Sequence, residues 1–167
     1  MKKYIYCVFL FVFFANALFA NEPLINKKKA PLPVALPLLK SIDHNAIVIG
    51  TGPIDMYAFI DPLCPRSQDF VSMIVENEKM QKRYTYHLFY YELKRFNSKG
   101  LIAKIYEQDD PLGLMKKIMI EHKEVEPVQI LTKKVKKKMD KISEVAEELD
   151  IFKRPYLFVV KPNKGGE

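Results

Sequence analysis

Residues 58–70 read Ala-Phe-Ile-Asp-Pro-Leu-Cys-Pro-Arg-Ser-Gln-Asp-Phe. The apolar run from Met56 to Ile60 ends at Asp61-Pro62. Cys64-Pro65-Arg66-Ser67 follows, and Phe70, Val71 and Ile74 then recur at helical spacing. This pattern predicts a buried strand, a tight turn and a helix from Cys64 to about Glu78 that carries a cysteine in its first turn. The first N–H groups of a helix have no intrahelical partners and form the positive end of its dipole, so a thiol placed there is poised to become a thiolate. Pro65 suits a helix start, where its missing N–H costs nothing. Asp61, three residues before the cysteine, is expected to cap the helix start through its side chain.

Asp-Pro-x-Cys-Pro after an apolar strand resembles the thioredoxin fold and, more narrowly, the periplasmic Dsb thiol-disulfide oxidoreductases of the isomerase (DsbC/DsbG) type. That family carries Cys-x-x-Cys, whereas this chain has Cys64-Pro65-Arg66-Ser67. The resemblance implies Cys64 as the nucleophile, with a hydroxyl where the resolving thiol belongs. A second stretch, Leu149 to Val160, carries Arg154-Pro155 ahead of the apolar strand Tyr156–Val160. In thioredoxin-like proteins a cis-proline opens the strand opposite the catalytic cysteine, and the residue before it offers its backbone to an incoming peptide. The resemblance therefore implies a cis Pro155, with Pro65, Arg154 and Pro155 as substrate-binding residues.

Working outward, Ala46–Gly50 reads as a strand and Thr51–Ile54 turns it back. Met56–Ile60 is apolar at every position, as expected of a central strand covered on both faces. Tyr84 to Leu93 carries aromatics in both alternating sets and reads as a second central strand. Residues 98–150 read as a helical insertion. Leu101, Ile102 and Ile105 form one short stripe, and Pro111 opens a helix bearing Leu114, Met115, Ile118, Met119 and His122. Pro127 opens a third helix with Val128, Leu131 and Val135. Ile142, Val145, Ala146 and Leu149 form the stripe of a fourth. The expected fold is α/β, a thioredoxin-like mixed sheet with a helical insertion. After Val160 the sequence offers only turn chemistry, Lys161 to Glu167, so either the last strand and C-terminal helix are trimmed away or the sequence is a fragment.

The organisation follows. Met1-Lys2-Lys3, the apolar run Tyr4–Phe14 and the small residues around Ala15 to Ala20 predict a signal peptide over residues 1–20, which implies a periplasmic protein. The competing reading is an inner-membrane anchor over residues 4–20, for which the run is short. Residues 21–45 hold Lys27-Lys28-Lys29 and Pro23, Pro31, Pro33 and Pro37, which predicts an extended tether with a short helix from about Val34 to Ile42. Residues 46–167 form the thioredoxin-like domain. Cys7 leaves with the leader, so the mature chain keeps Cys64 as its single cysteine and cannot form an internal disulfide.

Chemistry is then read at four residues. Cys64 and Ser67 are the candidate catalytic pair, with Ser67 one turn on and spaced to donate a hydrogen bond to the sulfur. Arg66 and Arg154 are the candidate cations supporting a thiolate. Without a resolving cysteine, a mixed disulfide at Cys64 persists until another thiol arrives. This excludes a self-contained dithiol oxidase or reductase. It leaves monothiol exchange or isomerisation on client proteins with cysteines or disulfides, helped by an envelope redox partner. The alternative is a non-catalytic module, a chaperone or a secretion-assembly subunit binding extended polypeptide beside Pro155. No cofactor is expected, because no Walker loop, dinucleotide fingerprint or Gly-x-Ser-x-Gly is present. No metal is expected either, since His44, His87 and His122 lack ligand spacing. The formal net charge of +7 owes much to Lys27–Lys29 and to Lys133–Lys138, where five of six residues are lysine. That run is a solvated helix face or a weak contact for a membrane surface. Nucleic acid is not an expected partner.

Overall fold

The computed structural model describes residues 29–161. Residues 1–28 and 162–167 lie outside the described residues, and so do the signal-peptide and anchor readings and the question of a further strand. Element order is α1 (Leu32–Ser41), a 3-10 turn (Asp43–Asn45), β1 (Ile47–Ile49), β2 (Ile54–Ile60), α2 (Pro65–Val75), α3 (Glu78–Arg83) and β3 (Tyr84–Tyr90). A second 3-10 turn (Lys94–Phe96), α4 (Lys99–Glu107), α5 (Pro111–Met119), α6 (Lys133–Glu148) and β4 (Tyr156–Val160) follow.

The four strands form one mixed sheet in the order β1-β3-β2-β4. β2 and β3 are the central pair and run parallel, with Ile54 opposite Tyr84 and Ile60 opposite Tyr90. β1 joins β3 antiparallel, and β4 joins β2 antiparallel with Phe59 opposite Tyr156. Met56 to Ile60 are buried on both faces, as their unbroken apolarity requires. On one face Phe70 of α2 meets Tyr86 edge-on at 6.0 Å. Tyr90, on the same face, meets Tyr106 of α4 edge-on at 5.8 Å and donates its hydroxyl to Met119 Sδ of α5. Strand alternation places Tyr57, Phe59, His87 and Phe89 on the other face, where Tyr57 stacks on His87 at 4.6 Å and Phe59 lies 5.4 Å from Phe89. The sheet is the thioredoxin-like mixed sheet that the sequence implied.

The turn from β1 to β2 is pressed against the start of β3. Gly50 has φ +84°, and a Cβ on Gly52 would sit 2.0 Å from the Arg83 carbonyl carbon. Two such close approaches explain the glycines there.

Three expectations change. The expected short helix is present but begins at Leu32, so the extended stretch does not reach Pro37. Leu32–Ser41 is a helix with Pro33 in its first turn, Pro37 on its exposed side, and Ala35 and Leu39 fully buried. The helix after Cys64 stops at Val75, and Asn77 starts a separate short one by accepting a hydrogen bond from Met80 N–H. Pro127 opens no helix. Val128 N–H donates to Gly100 O in an irregular segment that also holds Leu131, and of the third stripe only Val135 joins the fourth in one helix, α6. That helix begins at Thr132, whose Oγ1 accepts from Val135 N–H, and it buries Val135, Ile142, Val145 and Ala146.

Candidate functional site

The site is built where β2 ends. Cys64 is the N-cap residue of α2, and its carbonyl accepts from Ser67 N–H at 2.9 Å and Gln68 N–H at 3.0 Å. Pro65 is the first helical residue. Two further bonds close the turn that follows β2: Cys64 N–H donates to Asp61 O at 3.1 Å, and Gln68 Nε2 donates to Pro62 O at 2.9 Å.

Asp61 is fully buried and does not cap the helix, contrary to expectation. Its Oδ1 accepts from Leu63 N–H at 2.9 Å, and its Oδ2 accepts from Leu93 N–H at 2.6 Å and Ser98 Oγ at 2.8 Å. The carboxylate thus pins the cysteine turn to the loop that follows β3. Three donors on one buried carboxylate are what its desolvation demands.

Ser67 is also fully buried. Its hydroxyl accepts from Asp61 N–H at 3.3 Å. The expected bond to the sulfur is not among its contacts. The backbone at the strand end offers a donor with no ladder partner, and the hydroxyl serves it.

Arg154 approaches the cysteine with its backbone. Cys64 Sγ lies 3.8 Å from Arg154 O, positioned to donate its S–H. The guanidinium points elsewhere. Nε donates to Tyr91 O at 2.7 Å, one terminal nitrogen to Lys153 O at 2.8 Å and Ile151 O at 3.3 Å, and the other to Glu92 O at 3.3 Å. It also stacks 4.1 Å above the Tyr91 ring. Burial lowers the Arg154 pKa to about 10, against opposing pulls from Tyr91, Asp61 and Cys64, so the group stays cationic at neutral pH. Its main work is to tie the loop before β4 to the loop after β3. The Arg154–Pro155 peptide bond is cis.

A cavity of about 550 Å³ opens over the cysteine. Cys64, Pro65 and Arg66 form one side, Leu93, Arg95 and Phe96 a second, and Phe152, Lys153 and Arg154 the third. Cys64 itself is 2% exposed. Pro155 lines the neighbouring cavity instead, with Lys29, Phe152 and Lys153 among its companions. Of the residues read from the sequence, then, Cys64, Pro65, Arg66 and Arg154 share one cavity, while Ser67 is sealed beneath it. Sequence reading missed Leu93, Arg95, Phe96, Phe152 and Lys153. The first three sit in a loop without periodicity. Phe152 and Lys153 directly precede Arg154-Pro155, and that adjacency was the available signal.

Away from this cavity, His87 lies between two carboxylates. Its Nδ1 is 2.6 Å from Asp43 Oδ1, close but not aligned as a hydrogen bond, and its Nε2 is 3.2 Å from Asp55 Oδ1. On α6, Lys136 pairs with Asp140, Lys141 pairs with Glu144, and Lys138 lies 4.8 Å over the Tyr106 ring. Desolvation and the neighbouring Lys134 lower the Lys138 pKa. Among the described residues no helix is long and apolar enough to cross a membrane.

A mixed sheet ordered β1-β3-β2-β4, with a cysteine capping the helix after β2 and a cis-proline opening β4 beside it, defines a thioredoxin-like fold. No family model matches the chain, and no curated protein sequence does. Solved structures do. The catalytic domain of Proteus mirabilis ScsC superposes with a TM-score of 0.62 at 15% identity, over 77% of this chain and 84% of that one. Helicobacter pylori DsbG gives 0.55 at 16% identity, over 76% and 61%. A disulfide interchange protein from Neisseria gonorrhoeae gives 0.51 at 20% identity, over 68% and 79%. At these identities the likeness is one of fold.

Proposed function

We propose that this chain is an exported thioredoxin-like monothiol that exchanges Cys64 with disulfides of envelope client proteins. The observation that carries the reading is the meeting of Cys64 Sγ with the Arg154 carbonyl at the floor of an open cavity. The Cys64 thiolate attacks one sulfur of a client disulfide. A Cys64–client disulfide forms, the client's other sulfur leaves as a thiolate, and the proton lost from Cys64 matches the one that thiolate takes up. No net oxidation occurs. Residues of the cavity wall hold the client chain, and a second thiol on the client completes isomerisation. The leader read from the sequence supports an envelope location, as does the fold shared with proteins described as periplasmic and as disulfide interchange proteins.

The test is exposure of purified residues 21–167 to a cysteine peptide activated as a pyridyl disulfide. Wild type is expected to gain one peptide by mass, reversibly with added thiol, and Cys64→Ala to gain none. The second reading, a polypeptide-binding module with an inert thiol, draws on the 2% exposure of Cys64. It prevails if the folded protein takes up no peptide covalently yet binds it reversibly.

A further inference from the structure

The cavity over Cys64 is walled by cations from three separate segments. Arg66 comes from the first turn of α2, Arg95 from the 3-10 turn after β3, and Lys153 from the loop before β4. All three are exposed. Two are paired with aromatic rings of the same walls: Arg95 lies 4.8 Å over Phe96, and Lys153 lies 5.7 Å over Phe152. Lys29 adds a fourth cation in the adjoining cavity, on the far side of Phe152. It donates to Leu157 O and lies 4.6 Å over Phe158.

No carboxylate lines either cavity. Acids of the segments that meet there have other partners. Glu92 accepts from Lys99 N–H, Asp61 is spent on its three donors, and Asp150 acts on Tyr156. Like charges gathered around a concave, partly apolar site raise its potential and attract the opposite sign. Leu93, Phe96 and Phe152 give the same walls apolar surface for side chains. The Arg154 guanidinium plays no part, being directed to backbone carbonyls.

We infer that the client segment received beside Cys64 is acidic: an extended peptide bearing carboxylates on the residues flanking its cysteine, held between Arg66, Arg95 and Lys153. This inference rests on the thiol-exchange reading and adds the recognition that reading lacks. The electrostatic pull acts on encounter as well as on residence, so it raises the rate of exchange and weakens with salt.

The experiment compares three disulfide probes on the wild-type chain: a small neutral disulfide, and two pyridyl-disulfide cysteine peptides identical but for Asp/Glu or Lys flanks. The acidic peptide is expected to react about tenfold or more faster than the basic one at low ionic strength, within the range for steered association, and the ratio is expected to shrink toward one at high salt. Arg95→Glu combined with Lys153→Glu is expected to invert the ratio. Equal rates for the two peptides at low salt overturn the inference, and so does a ratio indifferent to both salt and the charge reversal. The salt series needs no variant, so a poorly folding double mutant does not protect the idea. If the neutral disulfide fails to react, thiol exchange itself is overturned. The groove is then judged by reversible binding of the two peptides to Cys64→Ser protein, where equal affinities reject it.

Discussion

The sulfur of Cys64 lies 3.8 Å from the carbonyl oxygen of Arg154, 90 residues further along the chain. The contact joins the two stretches that carry the thioredoxin-like resemblance, and Arg154 takes part through its backbone rather than its guanidinium. Arg154 therefore matters as a positioning residue. Its side chain makes four hydrogen bonds to backbone carbonyls, and these fix where its own carbonyl stands.

Arg154→Ala is expected to remove those bonds and the stacking on Tyr91, costing about 2–4 kcal/mol of stability by the usual range for buried charged networks. Arg154→Lys should recover little, since an ammonium cannot span carbonyls that a planar fork reaches. Denaturant midpoints of the two variants decide the point. If Lys restores most of the loss, charge rather than the bonding fork is what counts.

Asp61 and Ser67 form the second support. Asp61→Ala leaves Leu63 N–H, Leu93 N–H and Ser98 Oγ without their acceptor, and is expected to cost about 3 kcal/mol or more. Ser67→Ala removes only the acceptor for Asp61 N–H and is expected to cost about 1 kcal/mol. Urea melts of both variants test the order, and a Ser67→Ala penalty as large as that of Asp61→Ala contradicts it.

Alkaline pH should unfold the protein through its tyrosines. Burial raises the phenol pKa values of Tyr57 (to about 12), Tyr86, Tyr90, Tyr106 and Tyr156. In the unfolded chain these phenols ionise near pH 10. Above about pH 10 the unfolded state has released protons that the folded state still holds. Stability is therefore complete below that pH and falls as pH rises toward the folded values, by up to about 1.4 kcal/mol per pH unit for each such phenol. Arg154, held at about 10, and Lys29 and Lys138, both lowered by desolvation, act in the opposite direction and are outnumbered by the five phenols. Melting temperatures from pH 8 to 11, read beside phenolate absorbance, check this. Phenolate formation well before any loss of stability rejects it.

Ser67→Cys supplies the missing sulfur at a position with room for a side chain of similar size. It is expected to shorten the life of a Cys64–peptide disulfide by orders of magnitude, since an intramolecular thiol has a high effective concentration. Time courses of peptide release from the variant and wild type, without added thiol, measure it. Identical courses would mean that the serine site cannot present a sulfur to Cys64.

The fold was legible where chemistry is local. Met56–Ile60, with no polar position, could only be a strand covered on both faces. Pro65 and the Phe70, Val71, Ile74 spacing marked the next helix. Tertiary packing overrode the rest. Pro33 and Pro37 look like tether residues until Ala35 and Leu39 find the core. Val135 and Ile142 look like parts of two helices because five of the six residues between them are charged, which hides the continuity of α6. The sequence showed Asp61 as a cap because it reads only neighbours. Its partners Leu93 and Ser98 lie across a loop that no spacing rule reaches. Arg95, Lys153 and Phe152 come to line one cavity only once three separate segments meet over Cys64.

On the thiol-exchange reading, a hydroxyl at position 67 in place of a thiol decides how a disulfide at Cys64 is released. With the hydroxyl sealed under the helix and engaged by Asp61 N–H, no group of the cysteine turn expels a bound sulfur. Release then falls either to a second thiol of the same client, at a rate independent of concentration, or to an outside thiol, at a rate proportional to its concentration. In the second case the occupancy of Cys64 follows the reducing power of its surroundings.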